Sequence, residues 1–311
     1  MSRPTLTVAI CTRNRSALLE ETLAAVLKQR CSASWELLVV DNGSTDATPE
    51  ILKALCEEGA AGSGSSGGGP AARRAALEPE PGADHARNRV LQEAAGDVII
   101  FADDDVTPLP GWIDAYRRAF EDPKAASAAG RIFPQLPTNA PEWVRVLSRE
   151  IGGPPARYDF GRKPCVIDPT KQSLPFGGNM AVRRQAALDV GGFSTGFGYG
   201  RELIPGEDTE ISFRLRAAGG DIVYVPAATV MHRVPLEKLT LPYFLKWWAG
   251  LGRSHRINKS LGASHAASSA PSKFRSIKSF LKYSVRRARY PQYSDKWLRA
   301  IQRQTIHKGE L

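Results

Sequence analysis

Four cysteines in 311 residues, Cys11, Cys31, Cys56 and Cys165, have neither paired nor metal-ligand spacing. They read as reduced thiols, the state expected of a cytoplasmic protein. No run of about 18 uninterrupted apolar residues appears, so the sequence offers no obvious membrane span. No secretory signal is expected, because Met1-Ser2-Arg3-Pro4 leads straight into strand-like Leu6-Thr7-Val8-Ala9-Ile10. Acidic residues are scarce in one region. From Lys238 onward there are 16 Lys/Arg against 2 Asp/Glu, whereas residues 1–237 carry 26 against 30. The net charge of +10 therefore belongs to the tail. The mildly acidic main portion argues against a nucleic-acid groove, and no nucleic-acid partner is expected.

With 42% hydrophobic residues and 8% aromatics the chain can bury a substantial core, as one large domain or two ordinary ones. The stretch that organises it is Val98-Ile99-Ile100-Phe101-Ala102-Asp103-Asp104-Asp105. Its apolar half fits a strand buried on both faces, as in a parallel sheet. Ligands of open α/β sheets bind beyond the carboxyl ends of the strands, which puts the three acids at the mouth of a site. Adjacent carboxylates repel one another and resist desolvation unless a cation or donors compensate. A hard divalent metal, Mg2+ or Mn2+, takes oxygen ligands and carries phosphates. A solvated turn capping the next helix is the other reading.

Around this strand the pattern alternates. Leu6–Ile10 reads as a strand, followed by the polar loop Cys11-Thr12-Arg13-Asn14-Arg15. A helix follows with Leu19, Leu23, Val26 and Leu27 on one face and Ser16 as cap. The loop suits contact with a nucleotide base and its phosphates, or it is a solvated cap. Glu36–Val40 is a second strand ending in Asp41-Asn42-Gly43-Ser44. There Asp41 either accepts hydrogen bonds from a base or ribose or belongs to a turn. Thr48 and Pro49 open the next helix. Residues 57–84, rich in Gly, Ala, Ser and Pro, read as a flexible insertion. Arg87 and Asn88 then lie near the start of a helix, in place for a phosphate contact or as surface polarity.

Gly177-Gly178-Asn179 allows a backbone to approach a ligand closely, or marks a bulge. Gly206-Glu207-Asp208-Thr209-Glu210 opens a helix. Asp208 is either its N-cap or a carboxylate placed to deprotonate an attacking hydroxyl. His232 ends a strand and is structural, or it is a ligand if a cation sits near the triplet. Beyond Leu236, Tyr243, Phe244, Trp247, Trp248 and Leu251 form one helical face. Phe274, Ile277, Leu281 and Val285 form another, flanked by basic residues. Such a helix suits an anionic membrane surface, or packs on the main domain with its basic face in water.

Together, Val8–Arg15, Val39–Asp46, Phe101–Asp105 and Gly206–Glu210 resemble the family 2 glycosyltransferases of the GT-A fold over about residues 4–235. The resemblance implies a mixed, mainly parallel α/β sheet flanked by helices in 1–235, with 236–311 as a basic helical C-terminal extension. It implies an inverting transferase that moves a sugar from a nucleoside-diphosphate sugar, with a UDP-sugar the expected donor. The acceptor would be a saccharide or lipid-linked saccharide in cell-surface polysaccharide or glycolipid assembly. Asp41, with Thr12 and Arg13, would recognise the base, and Asp103 and Asp104 the ribose and diphosphate. Arg15 and Asn88 are further expected donor contacts, and Gly178 and Asn179 lie on the side of the acceptor or donor sugar. Asp105 and His232 would hold the metal, and Asp208, with Glu207 beside it, would be the base. A cytoplasmic location follows, peripheral at the inner membrane face if the tail binds lipid.

Two alternatives differ in what they require. A sugar-nucleotide pyrophosphorylase needs a Gly-rich basic loop after the first strand, and Cys11–Arg15 contains no glycine. A non-enzymatic nucleotide-sugar sensor would have lost a base or metal carboxylate, and both Asp208 and Asp105 are present. No second carboxylate is assigned to the opposite face, as a retaining hydrolase would need.

Overall fold

The computed structural model describes residues 5–61, 68–145, 153–169, 171–195, 197–199, 203–260, 287, 292 and 294–310. The apolar run before the acids is strand β4 (Val98–Asp103), buried along its length up to Asp103. It pairs in parallel with β1 (Leu6–Thr12), Leu6 opposite Val98 and Cys11 opposite Asp103. On the far side of β1 lie β2 (Trp35–Asp41) and then β3 (Ala72–Leu77), both parallel. Helices α1 (Ser16–Leu27), α2 (Thr48–Ala61) and α3 (Ala83–Glu93) make the connections. Beyond β4 come β5 (Val106–Pro108), α4 (Trp112–Ala119), β6 (Ala125–Gln135), β7 (Cys165–Val166) and β8 (Asn179–Arg183). Then follow α5 (Arg184–Asp189), β9 (Gly198–Tyr199), β10 (Leu203–Ile204), α6 (Glu207–Ala217) and β11 (Asp221–Arg233).

The nine-stranded sheet runs β3-β2-β1-β4-β8-β6-β11-β5, with β7 on β11. The sheet is mixed: β8 is antiparallel to β4 and β6, and β11 is parallel to β6. Chain direction across the sheet reverses between β1 and β4, because β2 and β3 lie on one side of β1 and β4 on the other. That is the switch point at which open α/β sheets bind ligands. The loop after β1 and the acids after β4 meet there. The last strand reaches the same place, since β11 pairs with β5 so that His232 faces Val106, next to Asp105. A bulge between Val225 and Thr229 absorbs Pro226 within the long strand β11.

Part of the stretch expected to be a flexible insertion, 57–84, is regular. Residues up to Ala61 continue α2, 72–77 are the edge strand β3, and Ala83 opens α3. The alternation is hidden because Ala72-Arg73-Arg74-Ala75-Ala76 has no large apolar residue. Register comes instead from β2 and from Arg74, which pairs with buried Glu36 at 3.2 Å and with Glu93 at 3.0 Å. Glu36 also accepts from Thr7 Oγ1 and the Ala95 N–H. Residues 62–67 lie outside the described residues.

Past the short turn Leu236–Lys238 come α7 (Leu241–Ser260) and α8 (Asp295–Glu310). They share a second apolar cluster in which Phe244, Trp248, Leu298 and Ile301 meet Val144 and Leu239. Within the segment expected to be an extension, α7 and α8 thus pack together and against Ala140, Val144 and Val234. The basic amphipathic helix expected at 274–285 lies outside the described residues. Among the described residues no helix is long and apolar enough to cross a membrane.

The cap of α1 is not Ser16 but Asp46, from the loop after β2. Asp46 Oδ2 accepts the Ser16 N–H at 2.9 Å, while Oδ1 accepts Thr48 Oγ1 at 2.6 Å and the Thr48 N–H at 3.1 Å. One carboxylate therefore serves two helix starts. Desolvation opposes its ionisation, yet the bonds from Thr48 and Ser16 hold its pKa down to about 2. Asp46→Ala is expected to cost about 1–2 kcal/mol in urea unfolding at pH 7. Because the folded pKa is depressed, this contribution is present above the unfolded value of about 4 and fades as pH falls through about 2. A variant as stable as the parent at pH 7 would refute the double cap.

Candidate active site

A cavity of about 680 Å3 opens at the switch point between β1 and β4. Its floor is acidic. Asp104 is buried with both oxygens engaged, Oδ1 by Arg15 and Oδ2 by Thr12 Oγ1 at 2.7 Å. Arg15 forks onward to Asp105 Oδ2. Asp103 keeps 44% of its side chain exposed and lies 3.6 Å from Arg87. Arg87, buried on α3, also binds Glu207, whose other oxygen accepts the Gly206 N–H at 3.1 Å. Asp208 accepts the Gly177 N–H at 2.6 Å and its neighbour Thr209's at 2.7 Å.

On this floor Arg15, Arg87 and Lys238 pair with Asp103, Asp104, Asp105 and Glu207, while Arg13, Arg157 and Asp159 also line the cavity. Crowding and burial of the acids show in their titration. Burial, then the Glu207 charge, push Asp208 up to about 6 against Arg87. Burial takes Asp104 up to about 6, and desolvation within the cleft raises the part-exposed Asp103. Asp105 goes the other way: burial opposes its ionisation, but His232, Arg15 and Lys238 hold it well below the carboxylate range.

Asp105 Oδ1 is buried without a hydrogen-bond partner and faces His232 Nε2 at 3.4 Å. His232 Nδ1 lies 3.2 Å from the Pro155 carbonyl, which assigns the proton of the neutral ring to Nδ1. With the ring neutral, two lone pairs face one gap, an arrangement that a cation resolves. Without a cation, burial opposes the protonated ring, but the Asp105 carboxylate favours it and raises the His232 pKa. The donor set fits a divalent ion held by one carboxylate and one imidazole, with phosphate oxygens and water completing the shell. Among the described residues no group of three or more His, Cys, Asp or Glu side chains could hold an ion unaided.

Several residues named from sequence take other positions. Asp104, expected on the ribose and diphosphate, is turned inward onto Arg15 and Thr12. Glu207 is tied to Arg87 and to the Gly206 N–H. Asp41 is buried, accepts the Ser44 N–H at 2.9 Å and is absent from the cavity wall, where Asn42 stands instead. Asn88 bridges both backbone groups of Phe193 at 2.8 Å, because it is one helical step round from the cavity-facing Arg87. Asn179 is fully buried and satisfied, donating to Arg131 and Ala228 carbonyls and accepting from Trp112 Nε1 and Tyr116. It braces the sheet and is not among the residues that line the cavity. Thr12, Arg13, Arg15, Asp103, Asp104, Asp105, Gly178, Glu207, Asp208 and His232 line the cavity.

The paired glycines make room for protein, not only for ligand. A Cβ at Gly177 would overlap the Arg87 guanidinium, and one at Gly178 would come within 2.9 Å of Asp103 Oδ2. The opposite wall is aromatic. Tyr158, Phe160 and Phe176 form one side, and Tyr243, Trp247 and Leu251 of α7 the other. Helix α7 is pressed onto the acidic motif, since a Cβ on Gly206 (φ +128°) would overlap Ser254 Oγ.

A nucleotide-type α/β sheet with an acid-lined cleft at its switch point defines the class. The family model "Glycosyl transferase family 2" matches residues 7–191, more than half of the chain, and the chain belongs to that family. The pre-mycofactocin glycosyltransferase of Mycobacterium tuberculosis is 32% identical over 156 residues, 47% of this chain and 29% of that protein. The N-acetylglucosaminyl-diphospho-decaprenol L-rhamnosyltransferase of the same organism is 28% identical over 240 residues, 68% of this chain and 71% of that protein. Several other curated relatives are matched over about half of their length. A mannosyltransferase from Pyrobaculum calidifontis, solved in complex with GDP-Man and Mn2+, superposes with a TM-score of 0.62 at 18% identity. It covers 98% of this chain and 86% of that one. The fold is that of the GT-A glycosyltransferases.

Proposed function

We propose that the protein transfers a sugar from a nucleoside-diphosphate sugar to a hydroxyl of a saccharide or lipid-linked saccharide, with inversion at the anomeric carbon. The observation that carries this reading is the unpartnered Asp105 Oδ1 facing His232 Nε2 in a cavity that also holds Asp208. Asp105 and His232 would hold a divalent cation, Mg2+ or Mn2+. When bound, that ion offsets the charge that grows on the departing diphosphate. Asp103, the most exposed of the three acids, faces the ribose, and Arg13 at the cavity mouth faces the phosphates or base.

Asp208 takes the proton of the attacking hydroxyl. Its raised pKa makes it a stronger base than an ordinary carboxylate, and the Gly177 N–H fixes its direction. A single base and direct displacement give inversion. The aromatic wall suits the acceptor, because pyranose rings present apolar faces that stack on Trp and Tyr. A relative whose name specifies a diphospho-decaprenol acceptor supports the lipid-linked form. UDP remains the expected nucleotide, while the structural neighbour holds GDP-Man.

Calorimetric titration with UDP, GDP, dTDP and ADP, with and without Mn2+, is expected to show metal-dependent binding of one nucleotide, abolished in Asp105→Ala. Binding that ignores the metal would refute the assignment of Asp105. Asp208→Asn should keep that binding and lose about 100-fold or more in kcat. In the wild type, kcat/KM should fall tenfold per unit below about pH 6, as Asp208 becomes protonated; full activity at pH 5 would exclude it as base. Trp247→Ala should raise the acceptor KM about tenfold with donor affinity unchanged. A change confined to donor affinity would move the aromatic wall to the donor side.

A further inference from the structure

Lys238 lies outside the family match, on the turn between β11 and α7, yet it lines the same cavity. Its Nζ is 3.6 Å from Asp105 Oδ2, and 25% of its side chain is exposed. The backbone on either side is fixed. The Arg233 N–H donates to the Asp105 carbonyl at 2.8 Å, and Leu239 is buried in the second apolar cluster. The two cations on Asp105 differ in how they are held. Arg15 is forked across Asp104 and Asp105 and keeps Asp104 if it gives up the other. Among the described residues the Lys238 ammonium meets one carboxylate, that of Asp105. A divalent ion on Asp105 would lie next to this ammonium and repel it. A diphosphate carried by the same ion offers the ammonium a new anion within the cavity.

We infer that Lys238 competes with a divalent cation for Asp105, and that the displaced ammonium becomes a ligand of the donor's diphosphate. The inference rests on the transferase reading, and it assigns Lys238 two opposed effects. Mn2+ titrated calorimetrically into the full chain without nucleotide should bind Lys238→Met about fivefold tighter than wild type. With Mn2+ saturating, the same variant should bind UDP or GDP about fivefold more weakly, with affinity for the matching monophosphate unchanged. A lysine that merely supports the fold would weaken both. Lys238→Gln repeats the comparison if Lys238→Met proves unstable by thermal melting, and Lys238→Arg should behave like the wild type towards Mn2+. Equal Mn2+ affinity in wild type and a folded neutral variant overturns the competition while leaving the metal reading intact. Failure of every protein to bind Mn2+, with or without nucleotide, overturns both.

Discussion

Gathering five carboxylates around one cleft is the constraint on which the rest of this structure depends. Each costs several kcal/mol to desolvate as an ion unless it is paired and hydrogen-bonded. The chain meets that cost with partners drawn from far apart in sequence. Arg15 and Thr12 reach Asp104 from β1 and its loop. Arg87 reaches Glu207 across 120 residues, and Gly177 offers its N–H to Asp208. Asp105 is the acid left with a bare oxygen, and it is the one next to His232. Asp103 keeps water instead, with 44% of its side chain exposed.

The same requirement explains features that look unrelated to chemistry. The parallel register of β1 and β4 sets Cys11 opposite Asp103, so the residues that follow, Thr12 and Asp104, are brought together. Gly177 and Gly178 lack side chains because Arg87 and Asp103 occupy that space. Gly130 lacks one because a Cβ would overlap the Asn179 amide and the Ala228 carbonyl. Thr22 binds the carbonyls of Asp104 and Val106 and accepts from Arg233, holding the turn between the acids and β5 against β11.

Much of this is legible in sequence where it is local. The buried run Val98–Ala102 ending in acids declares both a strand and a site, and Leu6–Ile10 and Glu36–Val40 declare its parallel neighbours. What is not legible depends on contacts between distant residues. Asn88 and Arg87 are adjacent, and only the facing of α3 decides which one enters the cavity. Asn179 follows two glycines as a ligand contact might, but Trp112 and Tyr116 take its amide. Strand β3 has no apolar alternation, and its place is set by pairing with β2 and by Arg74. Asp41 fitted two roles equally, and its bond to the Ser44 N–H adds weight to the turn.

The cleft draws on two parts of the chain. Residues 7–191, the matched region, bring the acidic triplet, Arg15, Arg87 and the paired glycines. Residues 203–260 bring Asp208, His232, Lys238 and the α7 aromatics, none of which that match includes. The first set is cross-linked by buried hydrogen bonds and ion pairs, so a substitution in it strands a charged partner and is costly. Trp247 and Leu251 meet the cavity as apolar surface on a helix anchored by Phe244 and Trp248 in the second cluster, against which Trp247 also packs. Substitutions at those two positions reshape the wall without uncovering a buried charge. The physical cost of changing what stands opposite the acids is therefore much lower than that of changing the acids. Divergence within such a fold has helix α7 as its least costly place to act.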